Sequence, residues 1–189
     1  MGEMLGEHGM WFKRTFFDPA TKVPLIMTNP RPFSRSKKVT EIVSLVDLTA
    51  TLMDLANIPH QDYWSSRMSG DSLMNLLNDQ DESWKDEAIC EYYGEGSIQP
   101  MIMFRSDRYK YVYVHEHEPI LFDLRKDPFE TENLVNFPEY QTLLTNFQMR
   151  IKNEFDIEEI KKDIIQSQQE RILISDSLRI GKKTSWNSV

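Results

Sequence analysis

Residues 23–28, VPLIMT, are apolar at nearly every position and rich in β-formers, and only one long helical stretch follows before the pattern changes. Such a run is the mark of a strand buried on both faces, as in a parallel sheet covered by helices. A single strand–helix pair cannot close a doubly wound sheet by itself. The segment therefore reads as the trailing edge of an α/β sheet, with the rest of that sheet expected ahead of Met1.

The remaining pattern is assigned from periodicity and breakers. Residues 1–22 mix glycine, charge and aromatics and read as an irregular loop with one helical turn. Residues 30–38 form a basic, turn-rich loop. Residues 40–57 read as helical after about Ser44, with Val46, Leu48, Leu52, Leu55 and Ala56 at spacings of three and four and Pro59 as the stop. A loop over 59–70 precedes a short helix over 71–78, which Asp71 or Ser72 can cap. After an acidic linker, residues 88–93, 101–105, 109–114 and 119–124 read as four short strands. The alternation in 109–114 suits a sheet with one covered face. Asp127-Pro128 is a turn. Residues 138–153 predict a helix with Tyr140, Leu143, Leu144 and Phe147 on one stripe. Residues 157–180 predict a second, with Asp156 and Glu159 at capping-box spacing, Ile157, Ile160, Ile164 and Ile172 on one face, and Gly181 as the stop. The expected fold class is α/β, followed by a small antiparallel sheet subdomain with helices.

Charge and cysteine usage narrow the function. The formal net charge is −8. Without a basic face, binding to nucleic acid or to an anionic membrane surface is disfavoured. No apolar run approaches transmembrane length. The single cysteine, Cys90, cannot form an intrachain disulfide, and the N-terminus lacks the basic start and apolar core of a signal peptide. A cytoplasmic location is expected.

Several residues could carry chemistry, and each has a plainer reading. Lys13, among Trp11, Phe12, Phe16 and Phe17, is either a snorkelling surface lysine or a compact cation that holds an oxyanion. His8 reads as a structural hydrogen-bonder rather than a ligand. His115 and His117, in HEHE, read as a solvated hairpin between strands. Glu91 and Glu95 flank Tyr92, Tyr93 and Gly94, either as an edge strand with its turn or as a carboxylate beside aromatic faces that suits a quaternary ammonium group. Asp18, Asp47 and Asp71 have ordinary turn or helix-terminus readings. There is no nucleophile elbow, P-loop, dinucleotide fingerprint or paired-cysteine zinc motif.

Residues 2–28, GEMLGEHGMWFKRTFFDPATKVPLIMT, resemble a block of the sulfatases of the alkaline phosphatase superfamily, D-H-G-x-x-L-G-E-x-G-x-W-x-K followed by V-P-L-I. SLVDLTATLMDLANI, GDSLMNLL and LFDLRKDPFETENL resemble later segments of the same family. EYYGEGSIQPMIMFRSDRYKYV and IIQSQQERILISDSLRIGKKTSWN are similar to choline sulfatases in particular. The resemblance implies three regions: 1–80 as the trailing part of an alkaline-phosphatase-like α/β domain, 81–153 as the four-stranded subdomain with its helix, and 154–189 as a helical C-terminal extension.

The resemblance also implies a reaction. A formylglycine made from Cys or Ser in C-x-P-x-R or S-x-P-x-R attacks the sulfur of a small sulfate ester. A divalent cation, usually calcium, and basic residues neutralise the sulfate oxygens. Lys13 matches the sulfate-binding lysine of the family, and Glu95 matches a choline-contacting glutamate. Trp186-Asn187 stands where the family has a Trp-Asp pair that reaches a neighbouring subunit, which implies a homo-oligomer. Met1 stands where the family has a metal-binding histidine, and Glu91-Tyr92-Tyr93 after Cys90 is not the nucleophile motif. The nucleophile and metal ligands are thus expected in a missing N-terminal half, and the chain alone is expected to bind no cofactor and to be inactive. An arylsulfatase, a sugar sulfatase, a phosphonate monoesterase or a non-catalytic docking module are the alternatives.

Overall fold

The computed structural model describes residues 2–28, 37–58, 69–78, 84–94 and 96–180. The chain divides into two compact units, one of Met1–Ile89, Phe104–Lys110 and Phe122–Glu132, the other of Cys90–Met103, Tyr111–Leu121 and Asn133–Val189.

The four predicted strands form one sheet in chain order: β3 (Glu87–Tyr92), β4 (Met101–Ser106), β5 (Tyr109–Val114) and β6 (Ile120–Asp123). Only Asp107 and Arg108 join β4 to β5, too short a link for a parallel crossover, so the pair is a hairpin. Asp107 accepts the left-handed conformation that the turn needs, with φ 46°. The expectation of one covered face fails in β5: Lys110, Tyr111 and Val112 are buried in succession. Adjacent strand residues point to opposite faces, so three buried neighbours mean that both faces are covered. The lysine made the segment look half-exposed, but its charge is paired inside the protein.

In the first unit, residues 2–12 are more ordered than expected. Strands β1 (Met4–Leu5) and β2 (Trp11–Phe12) pair antiparallel around a 3₁₀ turn at Glu7–Gly9, with Met4 opposite Phe12 and Leu5 opposite Trp11. One helical turn, α1 (Asp18–Thr21), starts with Pro19 in its first turn, where the missing N–H costs nothing. Gly2 donates to the carbonyl of Ala20 at 3.0 Å, and a Cβ at Gly2 would lie 2.0 Å from the carbonyl oxygen of Pro19. That close approach admits only glycine.

Residues 23–28 are the clearest departure from the sequence reading. They form no strand, and Ile26 is 85% exposed. A buried strand needs hydrogen-bonding neighbours on its edges, and among the described residues none pairs with this segment. Helix α2 (Asp47–Leu55) begins three residues later than expected from Ser44. Asp47 sets that start: its carboxylate accepts from the Ser44 amide at 2.7 Å and from the Asp71 amide at 3.0 Å. Thr51 donates to the Asp47 carbonyl and accepts from the Leu73 amide, which fastens α3 (Met74–Leu77) to α2. The short helix starts at Met74 rather than near 71, with Leu73 at its cap position and no side-chain cap bond, so neither Asp71 nor Ser72 caps it; Ser72 accepts from the Met74 amide at 3.3 Å. The expected loops over 30–38 and 59–70, the acidic linker and the Pro59 stop lie wholly or mostly outside the described residues.

In the second unit, α4 (Gln141–Glu154) follows a 3₁₀ turn at Pro138–Tyr140 and buries Leu144, Phe147 and Ile151. Phe147 stacks on Tyr111 at 5.0 Å between ring centroids. Burial pushes the Tyr111 phenol up to about 12. Helix α5 (Ile157–Ile180) begins as foreseen, with the Asp156 carboxylate accepting from the Glu159 amide. The other half of the capping box is not made, because Glu159 pairs with Lys162. Nor does the apolar stripe continue: Ile164 is buried, whereas Ile172 is 62% exposed.

Candidate functional site

Lys13 is exposed and directly follows β2. Among the described residues it makes no hydrogen bond or ion pair, so its ammonium faces solvent. Its backbone is closely bounded on both sides. Before it, Phe12 is held in the β1–β2 pairing with φ 70°. After it, Phe16, Phe17 and Asp18 are anchored. Lys13, Arg14 and Thr15 therefore form a three-residue bridge between two fixed points.

The anchor beyond the bridge is a buried ion cluster. Lys110 Nζ lies 2.5 Å from Asp18 Oδ1, 2.5 Å from Glu130 Oε1 and 2.9 Å from the Phe16 carbonyl oxygen. The Asp18 amide donates to Glu130 Oε2 at 2.6 Å. The Lys110 and Glu130 side chains are 2% and 1% exposed, and that of Asp18 is 27% exposed. A lysine at this depth is tolerable only because two carboxylates and a carbonyl replace its water. Glu130 occupies the left-handed region, with φ 58°. His8 stacks on Phe17 at 3.9 Å with the rings 9° from parallel, so its structural role is ring packing rather than the hydrogen bonding expected from the sequence.

The sequence reading gave Asp18 only a turn role and passed over Lys110 and Glu130. One signal was available: Glu130 lies in LFDLRKDPFETENL, a segment that resembles the family. Three other polar residues of that segment, Asp123, Asp127 and Asn133, have structural tasks. Asp123 pairs with Arg108 at 3.2 Å. Asp127 accepts from the amides of Thr131 and Glu132 at 2.6 and 2.8 Å. Burial raises the Asp127 carboxyl, but these hydrogen bonds outweigh it and hold the group below its ordinary range. Asn133 accepts from the Leu121 amide and donates to the Pro119 carbonyl.

The other candidates separate. Glu91 accepts from the Tyr93 hydroxyl at 2.5 Å; burial and then this bond push the Tyr93 phenol up. Glu95, Trp186 and Asn187 lie outside the described residues. His117 is exposed as expected, but the His115 side chain is only 15% exposed, which corrects its reading as part of a solvated hairpin. Its Nδ1 is 2.9 Å from the Tyr113 hydroxyl, and its Nε2 lies 3.6 Å from Glu116 and 3.7 Å from Glu158. Packing beside the start of α5 shields it. Among the described residues no group of three His, Cys, Asp or Glu could hold a metal ion.

The family model described as N-sulphoglucosamine sulphohydrolase, C-terminal, matches residues 6–156, a span that holds Lys13 and the whole Asp18–Lys110–Glu130 cluster. The chain belongs to this sulfatase family. It is 33% identical over 191 residues to a choline-sulfatase of Rhizobium meliloti (strain 1021), covering 98% of this chain and 36% of that protein. It is 32% identical over 152 residues to arylsulfatase K of Gallus gallus, covering 73% of this chain and 27% of the relative. The structure of a 2-O GAG sulfatase matches with a TM-score of 0.66 and 30% identity, over 85% of this chain and 35% of that one. The fold is thus that of the C-terminal portion of an alkaline-phosphatase-like sulfatase, and the chain spans about a third of the relatives' length.

Proposed function

We propose that this chain is the C-terminal part of a sulfate-ester hydrolase acting on choline-O-sulfate or a closely similar small ester, releasing the alcohol and sulfate. One observation carries the choice of substrate. The likeness to choline-sulfatase covers 98% of the chain, whereas that to arylsulfatase K covers 73%. Residues beyond 156, where the family model ends, therefore belong to the likeness with choline-sulfatase.

In this reading Lys13 binds the sulfate. A compact ammonium on a constrained backbone offsets charge on the sulfate oxygens, and it matters most as the ester oxygen departs with its electron pair. Glu95, Trp186 and Asn187 contact the alcohol part. The intact enzyme is a cytoplasmic homo-oligomer in the same reading, and the regions 1–80, 81–153 and 154–189 keep the roles given above. Formylglycine and a divalent metal supply the attacking oxygen and further charge neutralisation in sulfatases. The residues described here fit neither: no metal-holding cluster is present among them, and Cys90 lies inside β3, followed by Glu91-Tyr92-Tyr93. The reading assigns both groups to the remaining length of the intact enzyme.

A second reading, an aryl or sugar sulfatase, draws on Asn187, which lacks the charge of the acid it replaces, and on the likeness to the 2-O GAG sulfatase. The test is to express the reading frame with any in-frame sequence upstream of Met1, then measure sulfate release from choline sulfate, an aryl sulfate and a sulfated sugar. A higher kcat/KM on choline sulfate supports the first reading. A preference for either other ester favours the second, and hydrolysis of none overturns both.

A further inference from the structure

Lys110 and Glu130 sit far from Lys13 in sequence, yet they hold the chain three to five residues beyond it. The bond from Lys110 to the Phe16 carbonyl and the bond from the Asp18 amide to Glu130 both act on backbone atoms. They therefore fix the path of the chain and not merely a side chain. A surface turn would be secured well enough by α1 and by the Thr21 hydroxyl on the Phe17 carbonyl at 3.1 Å. Burying two opposite charges to hold the same point costs desolvation, and a pair of apolar residues would avoid that cost. What the ion cluster adds is directional: two charged groups of fixed position read three backbone or carboxylate atoms at once.

We propose that Lys110 and Glu130 are positioning residues for Lys13. They clamp one end of the Lys13–Thr15 bridge while the β1–β2 pairing clamps the other. Among the described residues nothing bonds the ammonium of Lys13, which leaves it for an anion while its Cα is confined. The inference rests on the sulfate-binding role given to Lys13 above, but the clamp itself is measurable without a substrate.

The test is amide hydrogen exchange on the full chain, comparing wild type with Lys110→Met, Lys110→Arg and Asp18→Asn. In Lys110→Met, the Asp18 amide and its neighbours over 11–18 should exchange roughly tenfold faster or more, with α4 amides such as those of Phe147 and Ile151 unchanged. Lys110→Arg keeps the charge and the donors and should restore part of the protection. Asp18→Asn removes one arm of the cluster at a partly exposed position, so it decides the matter if Lys110→Met loses α4 protection as well. Wild-type exchange over 11–18 in Asp18→Asn and in a folded Lys110→Met would overturn the proposal. Equal acceleration in Lys110→Arg and Lys110→Met would also overturn it. Failure of the sulfate reading shows separately, as turnover that Lys13→Ala does not change.

Discussion

Lys110 Nζ and Glu130 Oε1 lie 2.5 Å apart with both side chains at most 2% exposed. Each charge is stranded if the other is removed. Glu130→Ala or Lys110→Met should therefore cost about 3–5 kcal/mol of stability, as for a buried pair broken on one side. Asp18→Asn should cost less, because that side chain keeps contact with water. Urea unfolding of the three variants checks the order, and a Glu130→Ala midpoint equal to wild type would contradict it.

Gly70 is confined by its neighbours. A Cβ there would lie 2.4 Å from both the carbonyl carbon and oxygen of Val46 and 2.6 Å from the Asp47 amide nitrogen. All three are backbone atoms at the start of α2, so they cannot swing aside. Gly70→Ala should destabilise by about 1–3 kcal/mol, and the loss should appear in the thermal midpoint. Gly94→Ala, with no described residue within 4 Å of its Cβ, is the matched control and should be close to neutral.

Glu116 predicts a dependence on pH. The hydrogen bond from Lys161 lowers its carboxyl below the ordinary 4.5, helped by the bond from Gln99 and the charge of Lys161. The folded chain therefore binds fewer protons at this group than the unfolded chain. The stability it contributes is present above pH 4.5 and is lost as pH falls through the folded value. Acid unfolding followed by circular dichroism should show this dependence in wild type and a flatter one in Glu116→Gln.

For Lys13, the expected effect is on turnover. In the intact enzyme, Lys13→Ala should remove about 2.7–4 kcal/mol of transition-state stabilisation, as when one oxyanion donor is deleted. Steady-state kinetics on the preferred sulfate ester measures it, and a kcat/KM matching wild type would remove Lys13 from the site.

The 189-residue chain by itself should release no sulfate from choline sulfate or an aryl sulfate. Its described residues hold no metal cluster and no nucleophile motif. Hydrolysis by the purified chain that scales with its concentration would require a catalytic centre among the present residues.

The local elements were legible because local forces make them. Short runs rich in β-formers located β3 to β6 within a residue or two, and Asp156 set the start of α5 through a bond three residues long. Lys13 stood out by its place after G-E-x-G-x-W-x, which is a matter of chain order alone. Other features depended on what lies alongside. VPLIMT has the composition of a buried strand, but composition cannot supply the edge partners a strand needs, and the segment stays irregular and exposed. The apolar stripe of α5 is periodic beyond Ile164, but periodicity does not say how far a covering surface extends. Lys110 reads as a solvent-facing strand residue until Asp18, 92 positions away, and Glu130 close it off from water. Chain order alone set the local hydrogen bonds and the family pattern. Burial of charge and the anchoring of Lys13 were decided only in the tertiary structure, because both require groups distant in the chain to meet where water is excluded.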